Sequence, residues 1–570
     1  MESVLLSSPP DGTVTSSVTR RRPASANYHP SVWGDYFIKQ QFPPSTIQKS
    51  EAWIKQRVEE LIIKIKIMLT ESTDQLQEMQ LIDAVQRLGV AYHFETEIDD
   101  KLRRIHNANL DPSDLRFISL RFRLLRQHGY NVPSDVFNKF KDDEGNFQSS
   151  LCKQVRDLLS LYEAAYLSIP GEDILDDALE FTKRHLKYYS MEAESNYNLE
   201  PSLAAHISFA LHTPIRRKVE RLGARQYIDI YEKDDEVRND YLLELAKLDF
   251  HLLQLLHREE LKSISEWWKS SGLIEKLSYA RDRVAECYFW IIGVYFEPHY
   301  SRARMMMTKI ILQFSLMDDT YDAYGTFQEL QLYTEVIQRW GINGVDELEE
   351  CMKMQYLALY NLAKEFEDEL AEENIQYRVN YLREAIKETS RAWLKEVQWR
   401  EEGYVPSFEE YFTVSLPSAA YPILATTSYI GMGEVVTKEI LDWIINIPKI
   451  MQAATVTCRC MDDIFSAELE QKRDHVATAI QCYMKEYEGA SSEDACKVVR
   501  KMVEDGWKVV NQECLEQKIS MHLLMRIVNL ARVIETIYKE IDSYTDSMTT
   551  MKDDITLLFV QPISFPGDYY

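Results

Sequence analysis

Apolar side chains recur at three- and four-residue intervals along most of the chain, the spacing that places them on one face of an α-helix. From about residue 45 to residue 235, such helical patterns alternate with short polar breaks, among them 111–113, 131–133 and 141–145. A second set of longer helical patterns runs from Leu242 to about Leu558. The pattern therefore predicts an all-α fold.

The best boundary between the two sets of helices is the polar and charged stretch 225–240. We therefore expect an N-terminal helical domain over residues 28–238 and a C-terminal domain over residues 239–570. Residues 1–27 begin with a Ser- and Thr-rich stretch and are expected to be disordered. Two domains also suit a chain of 570 residues, because single hydrophobic cores seldom grow beyond about 300 residues.

The composition supports long helices. Gly and Pro number only 18 each, about half of their usual share, so the elements have few breaks. Hydrophobic residues make up 45% of the sequence, which is enough for large buried cores. The sequence has no run of about 18 apolar residues, so no membrane-spanning segment is expected.

The formal net charge is -26, which argues against nucleic acid as a partner, because nucleic-acid binding needs a basic surface. An acidic protein that binds an anionic substrate needs metal ions or a local group of arginines. The eight cysteines are scattered without a CxxC pair, and we expect them to be reduced, intracellular and structural.

The first 22 residues lack the apolar core of a secretory signal. A plastid transit peptide would also be Ser-rich, but it is usually longer and free of acids, whereas this stretch contains Glu2 and Asp11. These features favour a cytoplasmic protein.

The first candidate site closes a helical stretch that carries an apolar face. Asp318 lies seven residues after Ile311 and four after Phe314, so it continues their face, and Asp322 follows one turn later. Asp319 lies about 100° around the helix. Carboxylates on a core-facing helix are costly unless they are paired or bind a metal, and oxygen ligands one turn apart suit Mg²⁺. The alternative is an acidic helix end exposed to solvent.

The second candidate site offers oxygen ligands at four-residue steps. Asp462, Ser466 and Glu470 lie on one face of a predicted helix, and Arg459 shares that face. Mixed carboxylate and hydroxyl ligands again suit Mg²⁺ rather than zinc. The alternative is a solvated surface helix with charged pairs at four-residue spacing. Two such acidic helices facing one pocket are harder to explain as solvated surface.

Together the two motifs resemble the DDxxD and NSE/DTE motifs of class I terpene synthases. Arg281-Asp282-Arg283 resembles the RxR element of that family. Further matches cover nearly the whole chain and point to the plant sesquiterpene synthase branch; they lie at 28–35, 249–250, 266–268, 287–290, 293–298, 338–340 and 425–429. The resemblance implies two α-helical domains, an N-terminal helical barrel and a C-terminal class I domain that holds the active site.

The resemblance also implies a role for each group of residues. Metal binding is assigned to the two acidic motifs, with Asp318, Asp319, Asp322, Asp462, Ser466 and Glu470. Binding of the substrate diphosphate is assigned to Arg281, Arg283, Arg459 and Arg473. The cavity that shields the carbocation is assigned to Trp290, Tyr421, Tyr538, Asp542 and Tyr544, for which core packing or loop capping is the alternative. Three Mg²⁺ ions are expected, with Mn²⁺ able to substitute.

The implied function is the Mg²⁺-dependent ionisation of an isoprenyl diphosphate, here farnesyl diphosphate, by a monomeric enzyme. The carbocation would cyclise to a sesquiterpene hydrocarbon or alcohol with release of diphosphate. The nearest alternative is a monoterpene synthase that acts on geranyl diphosphate. A chain-elongating prenyl diphosphate synthase would carry two DDxxD motifs. A non-enzymatic helical scaffold would show repeats at a fixed period, which the sequence lacks.

Four positions bear on this resemblance. Glu97–Asp100 is the nearest match to the DxDD motif of class II enzymes, but it lacks the first aspartate, which argues against class II chemistry. Nine residues separate Arg22-Pro23 from Trp33, where eight are usual. Ala420 stands at a helix break where relatives often carry Gly or Thr, so the cavity wall is expected to differ there. Ser543 replaces a common Gly in the loop expected to close over the substrate.

Overall fold

The structure is a computed structural model that describes residues 28–40, 42–43, 47, 49–72, 74–108, 114–193, 199–470 and 476–565; of residues 192–193 and 466–470 it describes the backbone alone. Several features predicted from the sequence lie outside the described residues, namely the disorder of residues 1–27, the Arg22-Pro23 element, the break at 111–113 and Arg473.

The described part of the chain contains α-helices and short 3₁₀ or π turns but no strand. The N-terminal set of helices comprises α1 (Glu51–Glu71), α2 (Gln75–Arg87), α3 (Glu95–Asn107), α4 (Leu115–Gln127), α5 (Val155–Ala165), α6 (Asp173–Ala193), α7 (Pro201–His212) and α8 (Glu220–Tyr231). None of the described helices combines the length and apolarity needed to cross a bilayer.

The C-terminal set contains more helices than the N-terminal set. It comprises α9 (Asp240–Ser271), α10 (Leu273–Lys276), α11 (Val284–Val294), α12 (Ser301–Ala323), α13 (Phe327–Arg339), α14 (Glu350–Ala371), α15 (Arg378–Glu402), α16 (Phe408–Ser418), α17 (Tyr421–Ile430), α18 (Lys438–Ile445), α19 (Lys449–Glu470), α20 (Ala479–Glu486), α21 (Ser492–Glu516), α22 (Met521–Ile537) and α23 (Thr550–Ile555). The short turns are Ala91–His93, Ser134–Phe140, Ser149–Lys153, Ile215–Arg217, Pro298–Tyr300, Val345–Glu347 and Thr556–Val560.

Helix ends coincide with capping residues that the sequence provides. Ser50, Asp114 and Asn239 precede α1, α4 and α9, and each side chain accepts a hydrogen bond from the backbone N–H three residues later. Gly272 ends α9 and Gly403 ends α15 with φ of 61° and 60°. Glycine adopts this left-handed conformation without a steric penalty, so both helices stop where the chain can turn.

One continuous apolar core runs through both sets of helices. Helix α9 joins the sets, because it packs against α1 and α8 as well as α11 and α12. In the C-terminal set, α19 packs against α21 and α22, while α12 packs against α11 and α17. The fold is therefore all-α, which confirms the fold class predicted from the sequence. The expected boundary at 238/239 falls in the segment between α8 and α9.

The break between α16 and α17 is shaped by three neighbouring residues. Ala420 occupies it with φ of 60°, a left-handed conformation that costs a residue other than glycine about 1–2 kcal/mol. Pro417 lies in the last turn of α16, and Pro422 lies in the first turn of α17, where proline is tolerated. The break turns the chain beside the cavity described next, and Ala420 forms part of the cavity wall.

Candidate functional site

A cavity of about 280 Å³ is enclosed by α11, α12, α15, α16, α17 and α19. Asp318 and Asp322 line it from the end of α12, and Asp462 lines it from α19. Ser466 and Glu470 follow on the last two turns of α19, but their side chains lie outside the described residues. The structure thus brings Asp318, Asp322 and Asp462, from both acidic motifs, to a single cavity.

The three aspartates of the first motif have different surroundings. The Asp318 side chain keeps 37% exposure, and it lines the cavity together with Asp322. Enclosure by the cavity walls and the neighbouring Asp322 raise the pKa of Asp318 well above its ordinary value, although Arg281 acts in the opposite direction. Asp319 is fully buried, does not line the cavity, and accepts a hydrogen bond of 2.7 Å from the backbone N–H of Arg281.

The two arginines of the RxR element are placed differently. Arg281 lines the cavity, and its Nη2 lies 2.9 Å from a carboxylate oxygen of Asp318 and 2.9 Å from one of Asp319. Arg283 is fully buried and does not line the cavity. Its guanidinium donates hydrogen bonds of 3.2 Å to the backbone carbonyls of Tyr544 and Thr545, and it also donates to the carbonyl of His29. Arg283 therefore contacts backbone carbonyls and the His29 ring, whereas Arg281 contacts carboxylates and the Thr545 hydroxyl.

Adjacent aspartates of the second motif also differ. Asp462 lines the cavity with 24% exposure, and Arg459 donates to it at 3.1 Å. Asp463 is 2% exposed. It accepts hydrogen bonds from the Tyr411 hydroxyl at 2.8 Å and from the backbone N–H of Ala479 at 2.7 Å. Both aspartates line the cavity, but Asp463 joins α19 to α16 and α20 through these bonds, whereas Asp462 lies beside Arg459.

Four aromatic side chains predicted to surround the substrate line the cavity: Trp290, Tyr421, Tyr538 and Tyr544. The Trp290 ring centroid lies 5.6 Å from that of Tyr544 and 6.5 Å from that of Tyr421, in edge-to-face arrangements. The Tyr421 hydroxyl donates to the Leu530 carbonyl at 2.9 Å. Burial raises the pKa of Tyr421 well above its ordinary value, so the phenol stays neutral. These rings give the cavity an apolar wall without a free charge.

The segment after α22 closes over the same cavity. Asp542 lines the cavity, and its Oδ1 accepts hydrogen bonds from the backbone N–H groups of Tyr544 at 3.0 Å and Thr545 at 2.9 Å. The Tyr544 hydroxyl lies 2.7 Å from the Ser315 hydroxyl. The Arg281 guanidinium lies 5.0 Å from the ring centroid of Tyr544 and 5.0 Å from that of Tyr28. Asp542 therefore shapes the loop that lines the cavity beside Arg281.

Sequence reasoning missed several groups that structure this cavity. Glu396 lines it from α15 and accepts a hydrogen bond from the Ser418 hydroxyl. Arg400, one helical turn later, donates to the backbone carbonyl of Asp322 at 2.7 Å and so holds the end of α12. The available signal was a pair of charged residues one turn apart, beginning three residues after Trp393 on a largely apolar helix face.

The described donors fit a divalent metal. Asp318, Asp322 and Asp462 present hard oxygen ligands to one enclosed space, where carboxylates repel one another unless a cation neutralises them. Within the described residues, no three acidic, histidine or cysteine side chains converge closely enough to hold a metal by themselves. Mg²⁺ commonly keeps waters and takes substrate phosphate oxygens as ligands, so an incomplete protein ligand set suits it.

Comparison with known proteins agrees with this geometry over both halves of the chain. Residues 32–211 match the family described as terpene synthase, N-terminal domain. Residues 269–509 match the terpene synthase family, metal binding domain. The chain is 46% identical to (-)-germacrene D synthase of Vitis vinifera, over 97% of this chain and 98% of that protein. It is 47% identical to a sesquiterpene synthase of Cananga odorata, over 97% and 96% of the two chains.

A solved structure extends the likeness to three dimensions. Isoprene synthase from grey poplar leaves (Populus x canescens), in complex with three Mg²⁺ ions and dimethylallyl-S-thiolodiphosphate, superposes with a TM-score of 0.84. It is 32% identical, and the match covers 90% of this chain and 98% of that chain.

Proposed function

The chain belongs to the terpene synthase family, and we propose that it ionises farnesyl diphosphate and cyclises the resulting carbocation to a sesquiterpene. The observation that carries the proposal is a single cavity in which carboxylates from two helices and two arginines adjoin a wall of aromatic rings. Similarity over nearly the whole chain to a sesquiterpene synthase supports the fifteen-carbon substrate. The match to the family's metal binding domain supports a divalent metal cofactor.

The first step breaks the bond between the allylic carbon and the diphosphate oxygen, and the electron pair leaves with the diphosphate. Bound Mg²⁺ would supply Lewis-acid charge to the diphosphate oxygens. We assign its ligands to Asp318, Asp322 and Asp462, together with Ser466 and Glu470, on the basis of their helix faces and the cavity.

Arg281 and Arg459 line the cavity and donate to the leaving diphosphate, where positive charge stabilises the transition state. Arg473 remains a proposed fourth cation. Asp319 holds Arg281 in place through its backbone N–H and its guanidinium. Arg283 contributes indirectly, because its donors are occupied by the carbonyls of the covering segment.

The second step needs a cavity that excludes water and tolerates a carbocation. The ring faces of Trp290, Tyr421, Tyr538 and Tyr544 attract a cation by about 0.5–2 kcal/mol each. Water would capture the cation, so the segment around Asp542 that covers the cavity is part of the mechanism. The outcome is a cyclic hydrocarbon after loss of a proton from carbon, or an alcohol after capture of a water and loss of one of its protons.

We also propose three features of the whole protein. Domains over 28–238 and 239–570 are supported by the two family matches, which lie on either side of that boundary. A monomer is supported by the net charge of -26, because like-charged copies repel. A cytoplasmic location is supported by the cysteines, since all eight are free, as a reducing compartment requires. Three Mg²⁺ ions, replaceable by Mn²⁺, complete the proposal.

The test is a product assay. The purified protein with Mg²⁺ is incubated separately with geranyl, farnesyl and geranylgeranyl diphosphate, and the organic extract is analysed by gas chromatography–mass spectrometry. We expect cyclic fifteen-carbon products from farnesyl diphosphate that disappear with EDTA and in an Asp318→Asn variant. Asp346→Asn is the matched control, because Asp346 is 93% exposed and lies outside the cavity. No product from any substrate, or longer prenyl diphosphates once isopentenyl diphosphate is added, would contradict the proposal.

A further inference from the structure

A second cavity of about 410 Å³ lies where the two sets of helices meet. Its walls come from α2, α3, α7 and α8 on one side and from α22 and the segment 296–297 on the other. None of its lining residues lines the first cavity. The proposed reaction therefore does not explain its composition.

Five buried cations line this cavity. Arg87 pairs with Asp83 at 2.9 Å, and the other four are Arg216, Lys218, Arg526 and Arg532. These four are 2%, 7%, 4% and 6% exposed, respectively. Burying a charge costs several kcal/mol unless a group of opposite charge compensates it. Either acidic side chains of the cavity or a bound anion must therefore compensate these cations.

The hydrogen bonds of these four cations go to neutral groups. Arg216 Nε donates to the Asn511 amide oxygen at 2.8 Å, and Arg532 Nε donates to the Arg216 carbonyl at 2.9 Å. Arg526 Nε donates to the His522 carbonyl at 3.1 Å, and its Nη1 makes no hydrogen bond with any described residue. Lys218 Nζ donates to a backbone carbonyl at 3.2 Å. These hydrogen bonds hold the cations in place but supply no negative charge.

The acidic residues nearest to them are too distant to form hydrogen bonds. A Glu297 oxygen lies 3.8 Å from Arg526, and a Glu220 oxygen lies 3.9 Å from Arg532. Two further acids of the cavity, Glu95 and Asp99, are 50% and 57% exposed. Burial and repulsion from Arg216 lower the pKa of Arg532 to about 10, in spite of Glu220. Three guanidiniums, of Arg216, Arg526 and Arg532, thus face two carboxylates within 4 Å, which leaves an excess of positive charge there.

Part of the wall is apolar. Ile98, Phe209, Val219 and Met525 line the cavity beside the cations. A volume of about 410 Å³ lies within the range of about 300–1,000 Å³ usual for small-molecule sites. A ligand that fits has an anionic head for the arginines and an apolar body for these four side chains.

We propose that this cavity is a second binding site, separate from the catalytic one, for an organic phosphate with an apolar chain. The phosphate lies against Arg216, Arg526 and Arg532, whose planar guanidiniums match its oxygens. The chain packs against the apolar wall. The site does not depend on the proposed reaction, because it shares no residue with the catalytic cavity.

The test uses dodecyl phosphate as the probe in isothermal titration calorimetry on the full-length protein, with EDTA present to remove metal-dependent binding. Two variants address the second cavity: Arg532→Gln removes one charge, and Ala91→Phe fills space without changing charge, because Ala91 lines the wall. Arg459→Gln is the matched control, since it makes the same change in the first cavity. Inorganic phosphate and laurate separate the contributions of the head and the chain.

We expect the wild-type protein and Arg459→Gln to bind one dodecyl phosphate with similar affinity. Arg532→Gln and Ala91→Phe should each weaken binding at least about tenfold, which is about 1.4 kcal/mol. Inorganic phosphate and laurate should both bind more weakly than dodecyl phosphate. The proposal is overturned if the wild-type protein does not bind the probe, if Arg459→Gln alone abolishes binding, or if both second-cavity variants bind as the wild-type protein does.

Discussion

Replacing Arg283 by glutamine distinguishes two roles for this arginine. As a diphosphate ligand it would act only when substrate is bound, whereas as a clamp it would act at all times. Arg283 is fully buried outside the cavity wall. It donates hydrogen bonds of 3.2 Å to the carbonyls of His29, Tyr544 and Thr545. These bonds attach the chain near His29 and the segment that covers the cavity to the start of α11.

The size of the effect follows from these three bonds. Each contributes about 1 kcal/mol net, so the variant loses about 3 kcal/mol of local stability. Since about 1.4 kcal/mol corresponds to a factor of ten, the open state of the segment becomes about a hundred times more populated. Amide hydrogen exchange measures this opening directly. The N–H groups of Thr545 and Ser547 report on it, because they are bonded to Asp542 and His29 within the closed segment.

The control is Arg378→Gln. Arg378 is also buried, at 1% exposure, and donates to the backbone carbonyls of Ile430, Met432, Gly433 and Val436. We expect Arg283→Gln, and not the control, to speed exchange at residues 545 and 547 in the protein without substrate. Unchanged exchange in Arg283→Gln, together with lost inhibition by inorganic diphosphate, would refute the clamp and restore the diphosphate role.

Three further predictions concern stability. A double-mutant cycle with Tyr411→Phe and Asp463→Asn should give a coupling of about 1.5–3 kcal/mol in urea unfolding, as for a buried hydrogen bond to a carboxylate; additive effects would contradict it. Although burial alone would raise the pKa of Asp83, two guanidiniums lower it to about 2. Asp83→Asn should therefore cost about 2 kcal/mol at pH 7, and the difference from wild type should vanish as the pH falls from about 4 to 2; a constant difference would contradict this. A methyl group at Gly431 would lie 2.6 Å from a backbone atom of α12, whereas one at Gly433 meets nothing within 4 Å. Gly431→Ala should thus lower the free energy of unfolding by about 1–3 kcal/mol through overpacking, and lower the melting temperature with it. Gly433→Ala should leave both nearly unchanged.

The three- and four-residue spacing of apolar side chains made much of this architecture predictable. In a long helix, this spacing tells which residues share a face. Asp318 and Asp322 continue the apolar face of Ile311 and Phe314, and all four line the cavity. The same rule predicted that Asp319 points elsewhere, and it is buried beside Arg281. The helical spacing alone predicts these positions because α12 is regular over 23 residues.

The helical spacing of apolar residues does not predict which of two neighbouring residues is buried when their partners come from distant parts of the chain. Asp463 is buried because Tyr411 and Ala479 supply donors from other helices, and no local pattern reveals that pairing. Arg281 and Arg283 lie before α11 begins, where the chain has no helical face to assign. Arg283 takes carbonyl partners because the segment 544–545 lies beside it in the folded protein, far from it in the sequence.

Anomalous diffraction from crystals grown with Mn²⁺ and inorganic diphosphate shows whether the acidic faces of α12 and α19 hold metal ions around a diphosphate in the first cavity. We expect Mn²⁺ beside Asp318 and Asp322 and beside Asp462, with Arg281 and Arg459 on the diphosphate and Arg283 still bonded to carbonyls. Mn²⁺ absent from both faces, or the diphosphate bound outside this cavity, would contradict this expectation.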